Sequence, residues 1–245
     1  MEDKIMIISF PKCGRTWFTM ILGRALQNFY KFSERFIICT EDLSQRIDEI
    51  PNIKIIHEGS PHLKSPLQIQ KYFDKNQSNY RNVKAIILRR DIRDVFVSYF
   101  LHMKKRKKGR ERYKGDISKF IRRKKGSARS FIKYYNYLER NRRIFGDVLF
   151  LDYEDLLDNG FKEVKKAFKF MGLSFIPDRI IKEAISYCSF KNMKNMEKQN
   201  RFNVKRLRPG NIKDPDSYKV RKGMKGDYIN YLNKKDIDYL ESNYV

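Results

Sequence analysis

The stretch Pro11-Lys12-Cys13-Gly14-Arg15-Thr16-Trp17 follows an apolar run, Lys4–Phe10 (KIMIISF), and leads into a segment of helical periodicity from about Thr16 to Phe29. A strand, a tight turn and a helix start in that order can hold an anion. The first turn of a helix presents free backbone N–H groups and a partial positive charge, which suit phosphate or sulfate. Gly14 lets the backbone turn closely around such a group. Lys12 and Arg15 add fixed charge and Thr16 adds a hydroxyl donor. This is not a Walker A loop, because Lys12 precedes Gly14 and the glycine-x4-glycine-lysine order is absent. An ordinary strand–turn–helix carrying a surface lysine has the same outline. Proton transfer has few candidates: the chain holds only His57, His62 and His102. His57 closes the apolar run Ile53–Ile56, at the carboxyl edge where open α/β sheets place their ligands, and Glu58 beside it is the alternative base.

The elements that must position these groups read as alternating strands and helices, the pattern of a parallel sheet with crossover helices. Lys4–Phe10, Ile53–His57, Val83–Leu88 and Val148–Asp152 are predicted strands, the first buried because its apolar residues are continuous. Helices are predicted at 41–49, 67–74, 91–104, 127–145, 161–171, 178–187 and 234–242, besides the one that opens at Thr16. Residues 1–245 read as one α/β domain. Two irregular stretches, about 103–129 and 195–220, interrupt the rhythm and are predicted to form a lid or to line an acceptor pocket.

Charge is the outlier in composition. Against 29 acidic residues stand 54 Lys and Arg, a formal net charge of +25, which calls for an anionic partner. Between residues 104 and 125 the chain carries thirteen Lys or Arg against Glu111 and Asp116. That run reads either as a platform for an anionic acceptor or anionic membrane surface, or as a solvated excursion. Aromatics at 14% exclude a disordered chain. Cys13, Cys39 and Cys188 give neither a disulfide framework nor a CxxC pair, so a cytoplasmic setting is expected. No apolar run reaches the ~20 residues of a membrane span, and no spacing of His, Cys and acids suggests a metal.

Pro11–Trp17 resembles the 5′-phosphosulfate loop of the sulfotransferases that use 3′-phosphoadenosine 5′-phosphosulfate (PAPS), the cytosolic family and its bacterial relatives. Arg90–Tyr99 (RDIRDVFVSY), at the end of a strand and entering a helix, resembles that family's 3′-phosphate segment. Arg221–Tyr228 (RKGMKGDY) resembles its C-terminal signature, and Tyr153–Leu156 and Ser189–Lys194 match in order between them. The resemblance spans nearly the whole chain. It implies a three-layer P-loop-like fold, a central parallel sheet flanked by helices, and sulfuryl transfer from PAPS to a hydroxyl acceptor without a metal. PAPS needs two separated anion sites. Pro11–Trp17 would serve one; Arg90, Ser98, Arg221 and Lys222 would serve the other, with Gly223 giving close backbone approach. The resemblance further implies adenine stacking by Trp17 and Phe190, a polar contact from Tyr153, Ser189 and Cys13 among the nucleotide-binding residues, His57 as base and Lys12 as charge stabiliser. Arg93 and Asp94 read as helix-surface and helix-start residues, with Asp94 alternatively bracing a neighbouring arginine.

The chain departs from that family's usual pattern in four places. Cys13 stands where serine is usual, Arg15 where threonine is usual, Ile55 where a lysine two places before the histidine is usual, and Tyr228 where tryptophan closes the signature. A cysteine at a helix start between Lys12 and Arg15 is expected to have a lowered pKa and to react with thiol reagents unless nucleotide protects it. The rival readings are a P-loop kinase or ATPase, which would need a lysine after the glycine and a magnesium carboxylate, and a basic nucleic-acid-binding protein, for which no motif is present.

Overall fold

The computed structural model describes residues 4–37, 47–202 and 207–242. Four parallel strands form one sheet in the order β2-β1-β3-β4: β1 (Lys4–Ser9), β2 (Asn52–Ile56), β3 (Val83–Arg89) and β4 (Asp147–Asp152). Burial explains the order. β1 is buried from Ile5 to Ser9 and β3 is buried or half-buried along its length, so both read as continuous apolar runs and sit in the middle. β2 and β4 expose part of their length, as edge strands do.

The connections set the layers. α1 (Arg15–Tyr30) carries the chain from β1 to β2, and α2 (Pro66–Asn76) brings it back past β1 to β3. α3 (Ile92–Leu101), α4 (Ile117–Arg122) and α5 (Ala128–Arg140) span the connection to β4. Right-handed crossovers in opposite directions put α1 on one face and α2 to α5 on the other. The packing agrees, since α2 and α3 both touch α5 while α1 packs against α8 (Asp178–Tyr187). After β4 come α6 (Tyr153–Asp158), α7 (Gly160–Phe170), then α8, α9 (Phe190–Lys198) and α10 (Lys234–Ser242). One face of the core is aromatic: Phe10, Phe96, Phe131 and Tyr134 pack ring to ring with centroids 5.2–6.5 Å apart.

Register places the chemistry. Ile8 pairs with Ile56, and Ser9 with Leu88. His57 is therefore level with Ser9 on one side of β1, and Arg90 leaves β3 beside the β1 loop on the other. The chain reverses its direction of travel at β1/β3, and the crevice at such a switch point is where open α/β sheets bind ligands.

Several predicted elements differ in extent. The helix expected over 91–104 stops at Leu101 and continues as a π-helical turn, His102–Arg106. The one expected over 127–145 ends at Arg140, before a 3-10 turn, Arg142–Ile144. The helix expected over 41–49 falls mostly outside the described residues. α4, α6 and α9 were not predicted. α4 lies inside the first stretch read as irregular and α9 runs into the second, and few apolar residues mark them: α4 buries only Phe120 and Ile121.

Candidate active site

The loop after β1 wraps the start of α1. Lys12 (φ 79°) and Gly14 (φ 84°) are both left-handed, and this pairing curls the backbone into the kind of concavity that receives anions. Gly14 is the N-cap of α1 and its carbonyl accepts the Phe18 N–H at 3.1 Å. A Cβ there would lie 2.5 Å from the Tyr153 ring, so close approach as well as φ demands glycine. Lys12 borders the cavity. Burial lowers its pKa well below the lysine range, and Lys219, Arg106 and Arg90 push it further down against a weaker pull from Glu197.

Cys13 overturns the expectation of a reactive thiol. Its side chain turns into the core, fully buried, and Tyr135 Oη donates to its sulfur at 3.2 Å. Burial pushes the thiol up to about 12, outweighing that hydrogen bond and the field of Arg90 and Arg15. Cys188 is also buried and pushed up to about 12 by burial. We expect iodoacetamide at pH 7.5 to leave Cys13 and Cys188 unmodified in the native protein and to label both in denaturant, as read by peptide mass spectrometry. Native labelling of Cys13 that bound nucleotide suppresses would restore the first expectation.

Arg90 lines the same cavity. Its guanidinium lies 4.3 Å over the Tyr153 ring and donates to the carbonyls of Lys12 (3.3 Å) and Met224 (3.4 Å), tying the β1 loop to the C-terminal segment. Arg89 points elsewhere, onto Asp152 and the Phe150 ring. Asp94 is not a surface residue. It is 2% exposed and accepts the N–H groups of Gly226 (2.8 Å) and Tyr228 (3.1 Å), with Arg90 at 3.8 Å. Asp94 is thus a first-turn acid of α3, as expected, and also braces Arg90 and the C-terminal segment. Arg93 does lie at the helix start, paired with Asp91 and Glu241.

In the C-terminal segment Arg221 and Lys222 both grip Asp227, at 2.5 and 2.7 Å. Gly223 (φ 64°) lies so close to Phe190 that a Cβ would clash with its ring. Trp17 donates from Nε1 to the Cys188 carbonyl (2.9 Å) and meets Tyr153 edge-on. Trp17, Tyr153 and Phe190 thus give the cavity an aromatic wall beside its cationic groups.

His57 stands across the cavity. Its Nδ1 faces the Ser9 carbonyl at 2.8 Å and its Nε2 faces Arg15 Nη2 at 2.8 Å. A carbonyl only accepts and a guanidinium only donates, so Nδ1 carries the proton and Nε2 the lone pair. Burial first and Arg15 second hold its pKa down to about 3, with smaller contributions from His62 and Lys219. Glu58 is turned away: it is buried and accepts hydroxyl protons from Tyr72 (2.6 Å) and Tyr80 (2.7 Å).

One cavity of about 370 Å³ collects these groups. Along its wall lie Lys12, Gly14, Arg15, Thr16 and Trp17 from the first loop and helix, then His57, Arg90 and Ser98, then Tyr153, Phe190 and Arg221 to Gly223. Two expected members are not brought in. Cys13 faces the core, and Ser189, the N-cap of α9, makes no side-chain cap and does not line the cavity. The sulfotransferase domain family matches residues 2–244. The chain belongs to this family.

Among curated sulfotransferases, Sulfotransferase 1 family member D1 of Mus musculus is 27% identical, over 99% of this chain and 82% of its own length. Sulfotransferase 1A1 of Canis lupus familiaris is 27% identical over 92% and 77%. Among solved structures, the mouse sulfotransferase SULT7A1 complexed with PAP superposes with a TM-score of 0.60 at 18% identity, covering 99% of this chain and 83% of that one. Retinol dehydratase in complex with androsterone and PAP gives 0.64 at 17%, covering 98% and 79%. The parallel sheet flanked by helices is the P-loop-like sulfotransferase fold.

Within this sulfotransferase, sequence reasoning missed the groups that hold the site from behind. Glu197, 1% exposed, accepts the backbone N–H groups of Lys219 (2.6 Å) and Val220 (2.8 Å) and pairs with Arg106 at 2.7 Å. It thereby fixes the approach to Arg221. Lys107 and Lys219 reach the cavity, as do His62 and His102. The basic stretch is also less free than a solvated excursion. Arg106 is buried on Glu197, Arg122 pairs with Asp236 at 2.5 Å, and Arg123 stacks on Phe120.

Proposed function

We propose that this sulfotransferase moves a sulfuryl group from PAPS to the hydroxyl of an anionic acceptor. The observation that carries this reading is a single cavity lined by Lys12, Arg15, Arg90, Arg221 and Lys222 together with the rings of Trp17, Tyr153 and Phe190. That arrangement fits a nucleotide charged at both its 5′ and 3′ positions. The likeness to PAP-bound sulfotransferases supports the same donor. Lys12, Gly14, Arg15 and Thr16 would hold the phosphosulfate, and Trp17, Phe190 and Tyr153 the adenine. Arg90, Ser98, Arg221, Lys222 and Gly223 would hold the 3′-phosphate. The donor supplies an activated sulfur–oxygen bond.

His57 Nε2 takes the acceptor's proton as the acceptor oxygen bonds to sulfur and the sulfur–phosphate oxygen bond breaks. Lys12 stabilises the charge left on the departing phosphate. Such preorganised charge is worth ~3–4 kcal/mol per strong donor. The protein's part is otherwise to position the groups. A hydroxyl acceptor accords with the androsterone and retinol held in retinol dehydratase structures. The anionic character is supported by Lys107 and Lys219, whose fields reach His57, His62 and His102. Among the described residues no carboxylate lines the cavity.

Thermal shift with 3′,5′-diphosphoadenosine (PAP), ADP, ATP–magnesium and oligonucleotides tests the donor. PAP at ~100 times its dissociation constant should add ~2.7 kcal/mol of stability without magnesium. Equal or larger shifts with ATP–magnesium would favour a kinase, and with oligonucleotides a nucleic-acid binder. Labelled PAPS with matched neutral and carboxylated alcohols tests the acceptor.

A further inference from the structure

The lone pair that the proposed base needs is already engaged. His57 is held between two partners: its Nδ1–H donates to the Ser9 carbonyl of β1, and its Nε2 accepts from Arg15 Nη2, both at 2.8 Å. Arg15 is the first residue of α1 and belongs to the same turn as Lys12 and Gly14. Its guanidinium therefore bonds the base from the same helix start that would receive the 5′ end of the nucleotide. A neutral imidazole nitrogen is a weaker partner for a guanidinium than an oxyanion, since charge-assisted bonds are roughly twice as strong and are often bidentate.

Resting on the function proposed above, we propose that Arg15 is a positioning residue that latches the base: it occupies His57 Nε2 in the nucleotide-free enzyme and is drawn off by the 5′ anion of the bound nucleotide, freeing the lone pair for the acceptor's hydroxyl. The base is then available only when the donor is in place, which makes donor-before-acceptor the productive order. Every group facing His57 is consistent with this. Ser9 approaches from β1, Arg15 from α1, His62 from the loop after β2 at 5.4 Å between ring centroids, and Lys219 from the C-terminal segment. Lys54 and Lys64 border the adjoining pocket, and Glu58 there is turned to Tyr72 and Tyr80. Of these charges Arg15 contributes the largest depression of the His57 pKa, after burial itself. Its departure would restore basicity as well as access.

Two measurements on the intact protein test the latch. Crystal structures without and with PAP are expected to show Arg15 within hydrogen-bond reach of His57 Nε2 in the first. In the second it should lie outside that reach and on the 5′-phosphate. Nitrogen-15 NMR of the labelled imidazoles, with His57 assigned through His57→Asn, is expected to give a free-enzyme titration midpoint about one unit or more higher in Arg15→Thr than in the unaltered protein. Arg15→Lys, which keeps a cationic donor, should restore most of the depression. Arg15 still bonded to His57 in the PAP complex, or a midpoint unmoved by Arg15→Thr, overturns the latch. If PAP binds and Arg15 stays, only the latch falls; if PAP does not bind at all, the proposed function falls with it.

Discussion

His57→Asn is expected to lower kcat by about 10²–10⁴-fold, the usual range for losing a general base, while PAP still binds. Asparagine keeps a carbonyl oxygen that can accept from Arg15, so the β1 loop retains its support and the loss falls on proton transfer. Glu58→Gln is the contrast. It removes a carboxylate that accepts two tyrosine hydroxyls in the interior, so it should lower the melting temperature and leave turnover near that of the unaltered enzyme. The reverse result, turnover lost in Glu58→Gln and kept in His57→Asn, would transfer the base to Glu58. pH adds an independent check. The pKa of His57 is held near 3, below the ordinary 6.5, so below pH 6.5 the unfolded chain binds the proton that the native site refuses. Stability present above pH 6.5 is therefore lost as pH falls toward 3. His57→Asn should reduce the drop in melting temperature between pH 7.5 and pH 5, because one of the three histidines that resist protonation is gone. His62 and His102, held near 4 and 2 chiefly by burial, account for what remains.

The parts of the site readable from sequence are those that lie at the ends of continuous apolar strands. Lys12, His57 and Arg90 each follow such a run by one to three residues. A parallel sheet brings those ends to one edge whatever lies between. Side-chain direction within a turn is not written in the same way. Cys13 is flanked in sequence by Lys12 and Gly14, yet its sulfur meets Tyr135 in the core while Lys12 borders the cavity. The expected activation by neighbouring cations thus gave way to desolvation. Glu197 was equally hidden, because two of its three partners are backbone N–H groups more than twenty residues away, and no side-chain pattern announces a backbone donor. Asp94 was legible as a helix-start acid, but its full role was hidden for the same reason: the groups it holds, the Gly226 and Tyr228 amides, come from the far end of the chain. The fold was legible where hydrophobic periodicity was strong and illegible at α4, a six-residue helix, and at α9, where Lys and Asn interrupt a short apolar stripe.

Lys12→Met is expected to move activity and stability in opposite directions. Removing a preorganised cation from beside the departing phosphate should lower kcat by about 10²–10³-fold. The nucleotide-free protein should nevertheless become more stable. Burial, then Lys219, Arg106 and Arg90, hold the lysine well below its ordinary 10.5, with Glu197 offsetting only part. A lysine that gives up its proton more readily in the native state than in the unfolded chain destabilises the native state wherever the unfolded lysine is charged. That cost is relieved only as pH rises through the native pKa toward 10.5. Methionine fills a similar length without the charge, so a gain of ~1 kcal/mol at pH 7.5 is expected, of the order seen when buried ionic groups are replaced by apolar ones. For a chain of this size that is about 2–4 °C in melting temperature. Added PAP should reverse the ranking, because its anions compensate Lys12 in the unaltered protein and find nothing to compensate in the variant. A lysine kept only to shape the loop would lose stability and activity together on substitution. The opposed signs, and their inversion by nucleotide, are what a cation held in reserve for an anion requires.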